Sequence, residues 1–378
     1  MLKKILKFAG GFALILLLSA VVIYVATGPR QPDRSSSSAE WLQAGEYSVS
    51  SAEFLFVDES RPTSENRGVP GKPTRSFPTT IWYPEASDSA LPLIIHSHGI
   101  VSNRSEIAYA MEALASRGYI VAAADYPLTS GSTEGGANGN DVVNQPADIS
   151  FLIDSILGLD GSEKPFAGTI DQNRIGLTGY SLGGLTTYLA TYHPQWRDER
   201  IAAAIAIAGP SAPFLPAFFN STDIPFLAIA GTADALIEHQ RNAADIVQRN
   251  NNASLVTIDG GSHLGFAGIS DPMFRFMANP DTIACQAVMA VLGDSPNAVF
   301  ESMSAASPVI EMGSDMPGIC DYGFPETSHP GRQQMITQLA IVSFFESVFN
   351  PAPEVRDAAR QQLTVALATD FEEVEFAP

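Results

Sequence analysis

"RIGLTGYSLGGLTTYLA", residues Arg174–Ala190, passes from an apolar stretch through a serine flanked by glycines into a stretch with helical spacing. The pattern Gly179-x-Ser181-x-Gly183 carries little meaning alone in a chain with 30 glycines. Its setting gives it content. A strand that turns sharply into a helix needs residues without side chains on both sides of the turn, and the turn pushes the residue between them out over the sheet edge. The stretch therefore predicts a strand ending at Tyr180, a helix opening at Leu182, and Ser181 presented between them as a candidate nucleophile.

Working outward, short apolar runs alternate with amphipathic stretches. "TRSFPTTIWYP" (Thr74–Pro84), "LPLIIHSHG" (Leu91–Gly99), "YIVAAADYP" (Tyr119–Pro127), "IAAAIAIAGP" (Ile201–Pro210), "IPFLAIAGTAD" (Ile224–Asp234) and "ASLVTIDGGSH" (Ala253–His263) read as strands. Between them "SEIAYAMEALASRG" (Ser105–Gly118) reads as a helix with Ser105 as N-cap and Gly118 as stop, and further helices are expected in 142–160 and 240–249. Strands without a polar face, separated by helices, imply an α/β architecture whose mostly parallel central sheet is covered by helices on both sides. The functional crevice of such a sheet lies at the carboxyl ends of its strands.

Two segments break the rhythm. Leu128–Asn144 is glycine-rich but lacks the spacings that cradle phosphates, and reads as a mobile loop near the crevice. Residues 267–330, about sixty positions rich in Met, Pro, Gly and Ser, form a lid-like insertion after His263 and hold both cysteines, Cys285 and Cys320. The helix "GRQQMITQLAIVSFFESVF" (Gly331–Phe349) follows.

Lys3, Lys4 and Lys7 precede an uncharged apolar run, Phe8–Ala26. The run is long for a cleaved signal and lacks a good small-residue cleavage site, so residues 1–29 are expected to be a membrane anchor, with secretion after signal cleavage as the alternative. The lysines put the N-terminus in the cytoplasm and the remainder in the cell envelope, outside the cytoplasm. Residues 30–40, with four consecutive serines, read as a flexible linker, and 41–378 as one folded domain. In an oxidising compartment Cys285 and Cys320 can pair, with two unpaired buried thiols as the alternative. A net charge of −20, with only Lys72 and Lys164 beyond the first seven residues, argues against nucleic acid as a partner. No cysteine or histidine spacing points to a metal, and no cofactor is called for. Composition leaves the oligomeric state open.

A serine hydroxyl needs a positioned base to attack. Among the six histidines, His263 follows the last strand of the crevice and lies downstream of the serine. Its imidazole needs a carboxylate, and Asp234, just past the preceding strand, completes the order Ser, Asp, His; Asp259 and Asp223 compete for that place. A tetrahedral oxyanion needs two donors. The N–H of Leu182 follows the nucleophile, and the N–H of Ile100 lies in the turn that Gly99 allows, with His98 expected to orient that turn rather than to transfer protons. Tyr180, Ile100 and Phe266 are expected to shape an apolar substrate site.

The segments "HSHGI", "GYSLGG", "GTAD" and "GGSH", in this order and with "FPTTIWYP" and "NQPADISFLID" around them, resemble the α/β-hydrolases grouped as predicted dienelactone hydrolases. They are also similar to platelet-activating factor acetylhydrolases and, more distantly, to bacterial polyester hydrolases. The resemblance runs from about Arg75 to His263, and Gln333–Phe349 is compatible with it. It implies an α/β-hydrolase fold, Ser181, Asp234 and His263 as catalytic residues, and Ile100 and Leu182 as oxyanion donors. Dienelactone hydrolases proper carry a cysteine where this chain has Ser181, so the substrate in that family's name does not transfer. The expectation is a serine hydrolase cleaving small or lipid-like carboxylic esters through an acyl-enzyme. An acyltransferase or peptidase using the same triad, and an inactive membrane-tethered binding protein, are the alternatives.

Overall fold

The computed structural model describes residues 19, 22, 24–87, 89–161, 164–293, 299–300, 303–304, 307–311 and 318–378. The chain divides into two compact units, Met1–Gln31 and Pro32–Pro378. In the first, Tyr24–Ala26 are helical, and most of the expected anchor Phe8–Ala26 lies outside the described residues. Among the described residues no helix is long and apolar enough to cross a membrane.

In the second unit the described strands are β1 (Val49–Asp58), β2 (Arg75–Pro84), β3 (Ala90–Ser97), β4 (Ile120–Ala124), β5 (Thr169–Tyr180), β6 (Ile201–Ile207), β7 (Phe226–Gly231), β8 (Ala253–Ile258) and β9 (Val374–Ala377). They form one sheet in the order β1-β2-β4-β3-β5-β6-β7-β8-β9. The strands from β4 to β8 in that order pair in parallel, whereas β1, β2 and β9 add antiparallel edges. The helices used below are α1 (Ser37–Trp41), α2 (Ala108–Ala115), α3 (Gln145–Leu157), α4 (Leu182–Tyr192), α5 (Asp281–Leu292) and α6 (Pro330–Phe349).

The continuous apolar runs follow from burial on both faces of the sheet. Along β3, Leu93 and Ile95 join Ile149 of α3 and Leu185 of α4, while Ile94 joins Met111 of α2 and Ile341 of α6. Successive side chains alternate between two covered faces, so no polar side is left to show in the sequence.

Several expectations are corrected. Edge strands β1 and β9 escape the sequence reading; β1 alternates half-buried and exposed positions along "VSSAEFLFVD" and lacks a long apolar run. Helix α2 opens at Ala108, and Ser105 is not its cap. Instead the Asn103 side chain accepts the Ser105 N–H at 2.9 Å in a tight turn that delays the helix. Gly118, at φ +91°, ends it as expected.

The segment 30–40 is not simply a linker. Ser36 caps α1 through Ala39 N–H at 3.2 Å, and the Ser38 N–H donates to Asp370 at 3.0 Å. Gln362 Nε2 donates to the Ser38 hydroxyl at 2.8 Å, so serines that look like low complexity are caps and contacts of the folded unit. The glycine-rich loop is likewise tied down. Asn66 donates to the carbonyls of Glu134 and Gly136 at 2.9 and 2.8 Å, and Val101 N–H donates to Thr129 O at 3.0 Å. Buried Arg75, at the start of β2, bridges Asp141 of this loop and Asp148 of α3 at 2.7 and 2.6 Å.

After β8 the chain enters the expected insertion, where α5 packs against the loops after β3 and β7 and lends residues to the crevice. Cys285 of α5 is bonded to Cys320, 35 residues on. Such a pairing fits a chain that works outside the reducing cytoplasm. A double Cys285→Ser, Cys320→Ser variant is expected to unfold at lower urea, by at most about 4 kcal/mol on the loop-entropy account. Equilibrium denaturation under non-reducing conditions measures the difference.

Candidate active site

The centre of the site is the turn between β5 and α4. Ser181 adopts φ 55° and ψ −117°, a conformation that side chains rarely take, and its N–H is held by Ile207 O at 2.8 Å. The two glycines are required by contact distance. A Cβ on Gly179 would lie 2.0 Å from the Gly183 carbonyl oxygen, and one on Gly183 would lie 1.9 Å from that of Ser97. The start of α4 therefore presses directly on the end of β3, and the Ser181 hydroxyl is turned out above both.

His263, in the loop after β8, receives that hydroxyl: Nε2 lies 2.8 Å from Ser181 Oγ. Its Nδ1 lies 2.7 Å from Asp234 Oδ2, in the loop after β7. The other oxygen of Asp234 accepts the N–H groups of Leu236 and Ile237, both at 2.8 Å, so the carboxylate is locked to its own loop. Nδ1 must therefore donate to Asp234, which leaves Nε2 free to accept from serine. Burial works against a charged His263, but the charge and hydrogen bond of Asp234, then the charges of Asp281 and Glu106, outweigh it and raise its pKa. The competing carboxylates stand elsewhere. Exposed Asp259 accepts the Thr232 hydroxyl at 2.8 Å, and exposed Asp223 faces Asn252.

The loop after β3 carries the N–H of Ile100, the expected second donor. His98 Nδ1 lies 2.7 Å from Gly99 O, and His98 Nε2 accepts the Tyr126 N–H at 3.1 Å, so the proton sits on Nδ1 and donates to that carbonyl. In a trans peptide the C=O and the following N–H point in opposite directions. Fixing the Gly99 carbonyl against His98 therefore aims the Ile100 N–H to the other side of the loop. Among the described residues neither the Ile100 N–H nor the Leu182 N–H, at the first position of α4, has a hydrogen-bond partner. The Gly99 N–H is taken at 3.1 Å by both oxygens of Glu106, whose Oε1 also lies 3.0 Å from His96 Nε2. Burial pushes the His98 pKa below its ordinary value, in keeping with an orienting role.

A cleft of about 710 Å³ opens over Ser181 and His263, lined among others by Ile100, Tyr109, Leu236, Ile269 and Val288. An apolar recess of about 50 Å³ adjoins it on the side of Leu182, Val299, Phe300 and Ile319. Ile100, Ser181, Leu236 and Val288 border both. The insertion thus forms a wall of the site. Tyr180 lines the cleft and donates its hydroxyl to His263 O at 2.9 Å. Phe266, expected to meet substrate, does not line either space. It is fully buried behind Tyr180, at a ring separation of 6.2 Å, because the chain after His263 turns inward. Among the described residues no cluster of His, Cys, Asp and Glu could hold a metal.

Sequence reasoning missed Glu106, which shows only as a polar residue in a helical stretch, and Asp281. Asp281 starts α5 inside the insertion, and its carboxylate accepts the N–H groups of Ala235, His263 and Leu264. The pattern "NPDT" (Asn279–Thr282), a helix-start signal, was the available clue.

Residues 67–279 match the sequence model of the PET hydrolase-like family, PETase. No curated protein matches the chain. Among solved structures, a ferulic acid esterase from Streptomyces cinnamoneus superposes with a TM-score of 0.55 at 20% identity, over 88% of this chain and 97% of its own. At that identity the likeness speaks for the fold.

The Gly183–Ser97 contact gives a test that needs no substrate. Gly183→Ala forces backbone apart on both sides of the turn and is expected to destabilise the fold by about 3 kcal/mol. Thermal melting of the purified variant checks it.

Proposed function

This chain belongs to the PET hydrolase-like family and is a carboxylic ester hydrolase, and from that premise we propose that it works as a serine esterase through an acyl-enzyme, with Ser181, His263 and Asp234 as catalytic residues. The observation that supports this most is the unbroken run of contacts from Ser181 Oγ to His263 Nε2 at 2.8 Å and from His263 Nδ1 to Asp234 at 2.7 Å. In this reading Ser181 Oγ attacks the ester carbonyl carbon as His263 takes its proton. The carbonyl oxygen becomes an oxyanion that accepts from the Ile100 and Leu182 N–H groups. Collapse breaks the bond to the alcohol oxygen, and His263 returns the proton to it. A water molecule then attacks the acyl carbon with His263 again as base, releasing the acid and restoring Ser181. Asp234 holds the tautomer and stabilises the imidazolium throughout.

Glu106 and Glu112 border the cleft while its remaining described walls are polar or apolar, so neutral esters are the substrates we assign to it. Tyr180 serves as a cleft wall and as a strut for the histidine loop. We further read Phe8–Ala26 as the anchor or secretion signal that puts the hydrolase unit outside the cytoplasm. The Cys285–Cys320 bond supports that compartment.

A fluorophosphonate probe is expected to label Ser181, and Ser181→Ala is expected to lose labelling together with about 10⁴-fold or more of kcat on p-nitrophenyl esters. A Ser181→Ala protein with full esterase activity sinks the reading. The pH profile gives a second test. His263 works as base only when neutral, and its pKa is raised, so it stays protonated to a higher pH than a free imidazole. The acid limb of kcat/KM is therefore expected above the ordinary imidazole value, about 6.5. Initial rates over a pH series measure it.

A further inference from the structure

We propose that Asp281 is a positioning residue: its carboxylate, delivered by the insertion, pins the loop carrying Asp234 to the loop carrying His263 and so keeps the base in register with Ser181. The proposal rests on the triad reading above. Asp281 is fully buried at the first position of α5, and Asn279 Oδ1 takes its N–H at 2.8 Å. One carboxylate oxygen, Oδ2, accepts both the Ala235 N–H at 3.0 Å and the His263 N–H at 2.9 Å. The other, Oδ1, accepts the Leu264 N–H at 2.7 Å. Ala235 directly follows Asp234, and His263 is the base itself. A single oxygen atom thus sets the separation of the two loops at the residues whose side chains must meet.

The chemistry of the group fits this role. Three N–H donors converge, and an ionised carboxylate can accept from all of them because it carries no proton of its own. An amide in its place would turn an NH₂ toward at least one N–H. The position is costly for a group that only supports structure, since burial, and then the nearby charge of Asp234, push the Asp281 pKa up to about 6, against the opposing pull of His263 and the backbone donors. The charged groups facing His263 are Asp234, Asp281 and Glu106. Asp281 therefore also favours the imidazolium that forms in each half-reaction. The Cys285–Cys320 bond holds the same helix one turn further on, where Ala284 and Val288 line the cleft.

The test uses the full chain and the variants Asp281→Asn and Asp281→Ala, assayed with p-nitrophenyl acetate. The expected result is a fall in kcat of about 10²-fold, larger for Ala than for Asn, with KM little changed. The acid limb of kcat/KM is expected to move to lower pH in both, because one of the three negative groups facing His263 is gone; a role in stability alone leaves the limb where it is. Where Asp281→Ala fails to fold, Asn279→Ala, which releases the Asp281 backbone without touching either triad loop, is expected to show a smaller kcat loss. Folded variants with wild-type kcat and an unmoved limb overturn the proposal. A wild-type chain that hydrolyses no ester overturns the triad reading instead, and the proposal is then decided by proton NMR of the His263 Nδ1–H. That resonance is expected far downfield in the wild type and shifted or lost in Asp281→Asn; an unchanged resonance overturns the proposal.

Discussion

The contact between Gly183 and the carbonyl oxygen of Ser97 governs the arrangement of the site. A Cβ at Gly183 would lie 1.9 Å from that oxygen, so helix α4 meets strand β3 backbone to backbone. This closeness lets β5 turn into α4 in one residue and holds Ser181 at φ 55°. The start of α4 and the loop after β3 also come together there, and Leu182 and Ile100 line one recess. The placement of Ser181, Leu182 and Ile100 thus depends on one place where backbone meets backbone.

Around that point the support is mostly polar and comes from outside the triad. His98 fixes one peptide of the loop after β3 and Glu106 the preceding N–H. Tyr180 holds the His263 carbonyl, while Gln333 of α6 clamps Ser262 through its N–H at 3.1 Å and its carbonyl at 2.8 Å. Each of these contacts removes a rotation that the reacting groups would otherwise have to lose on the way to the transition state. The acidic character of the chain, a net charge of −20, reaches into the centre itself, where the carboxylates of Asp234, Asp281 and Glu106 act on His263. Such a field favours the charged form of His263.

What could be read from the sequence was whatever is encoded locally. Ser181, Asp234 and His263 each follow a short apolar run, so a strand-end reading finds them without knowledge of the partner strands, and the parallel core strands announce themselves by having no polar face. The rest depends on contacts distant in the chain. Asp281 lies in a stretch without clear period, and its partners are 46 and 18 residues away. Ser38 looked like linker because its partners, Gln362 and Asp370, lie more than three hundred residues on. Phe266 failed for the opposite reason: an aromatic beside the base reads as a cleft residue until the inward turn of the backbone is known. Edge strand β1 shows that half-exposed alternation is a weaker signal than continuous apolarity.

The disulfide closes a loop whose base and whose interior do different work. Asp281 lies just outside it, four residues before Cys285, whereas Ala287, Val288, Leu292, Val299, Phe300 and Ile319 within it line the cleft or the recess. The described residues of this loop thus reach the candidate site from a segment closed covalently at its two ends. A change of side chain at one of these positions reshapes the wall of the cleft from a segment separate in sequence from Ser181, Asp234 and His263. The shape of the cleft and the Ser181–His263–Asp234 contacts are thus carried by different stretches of the chain.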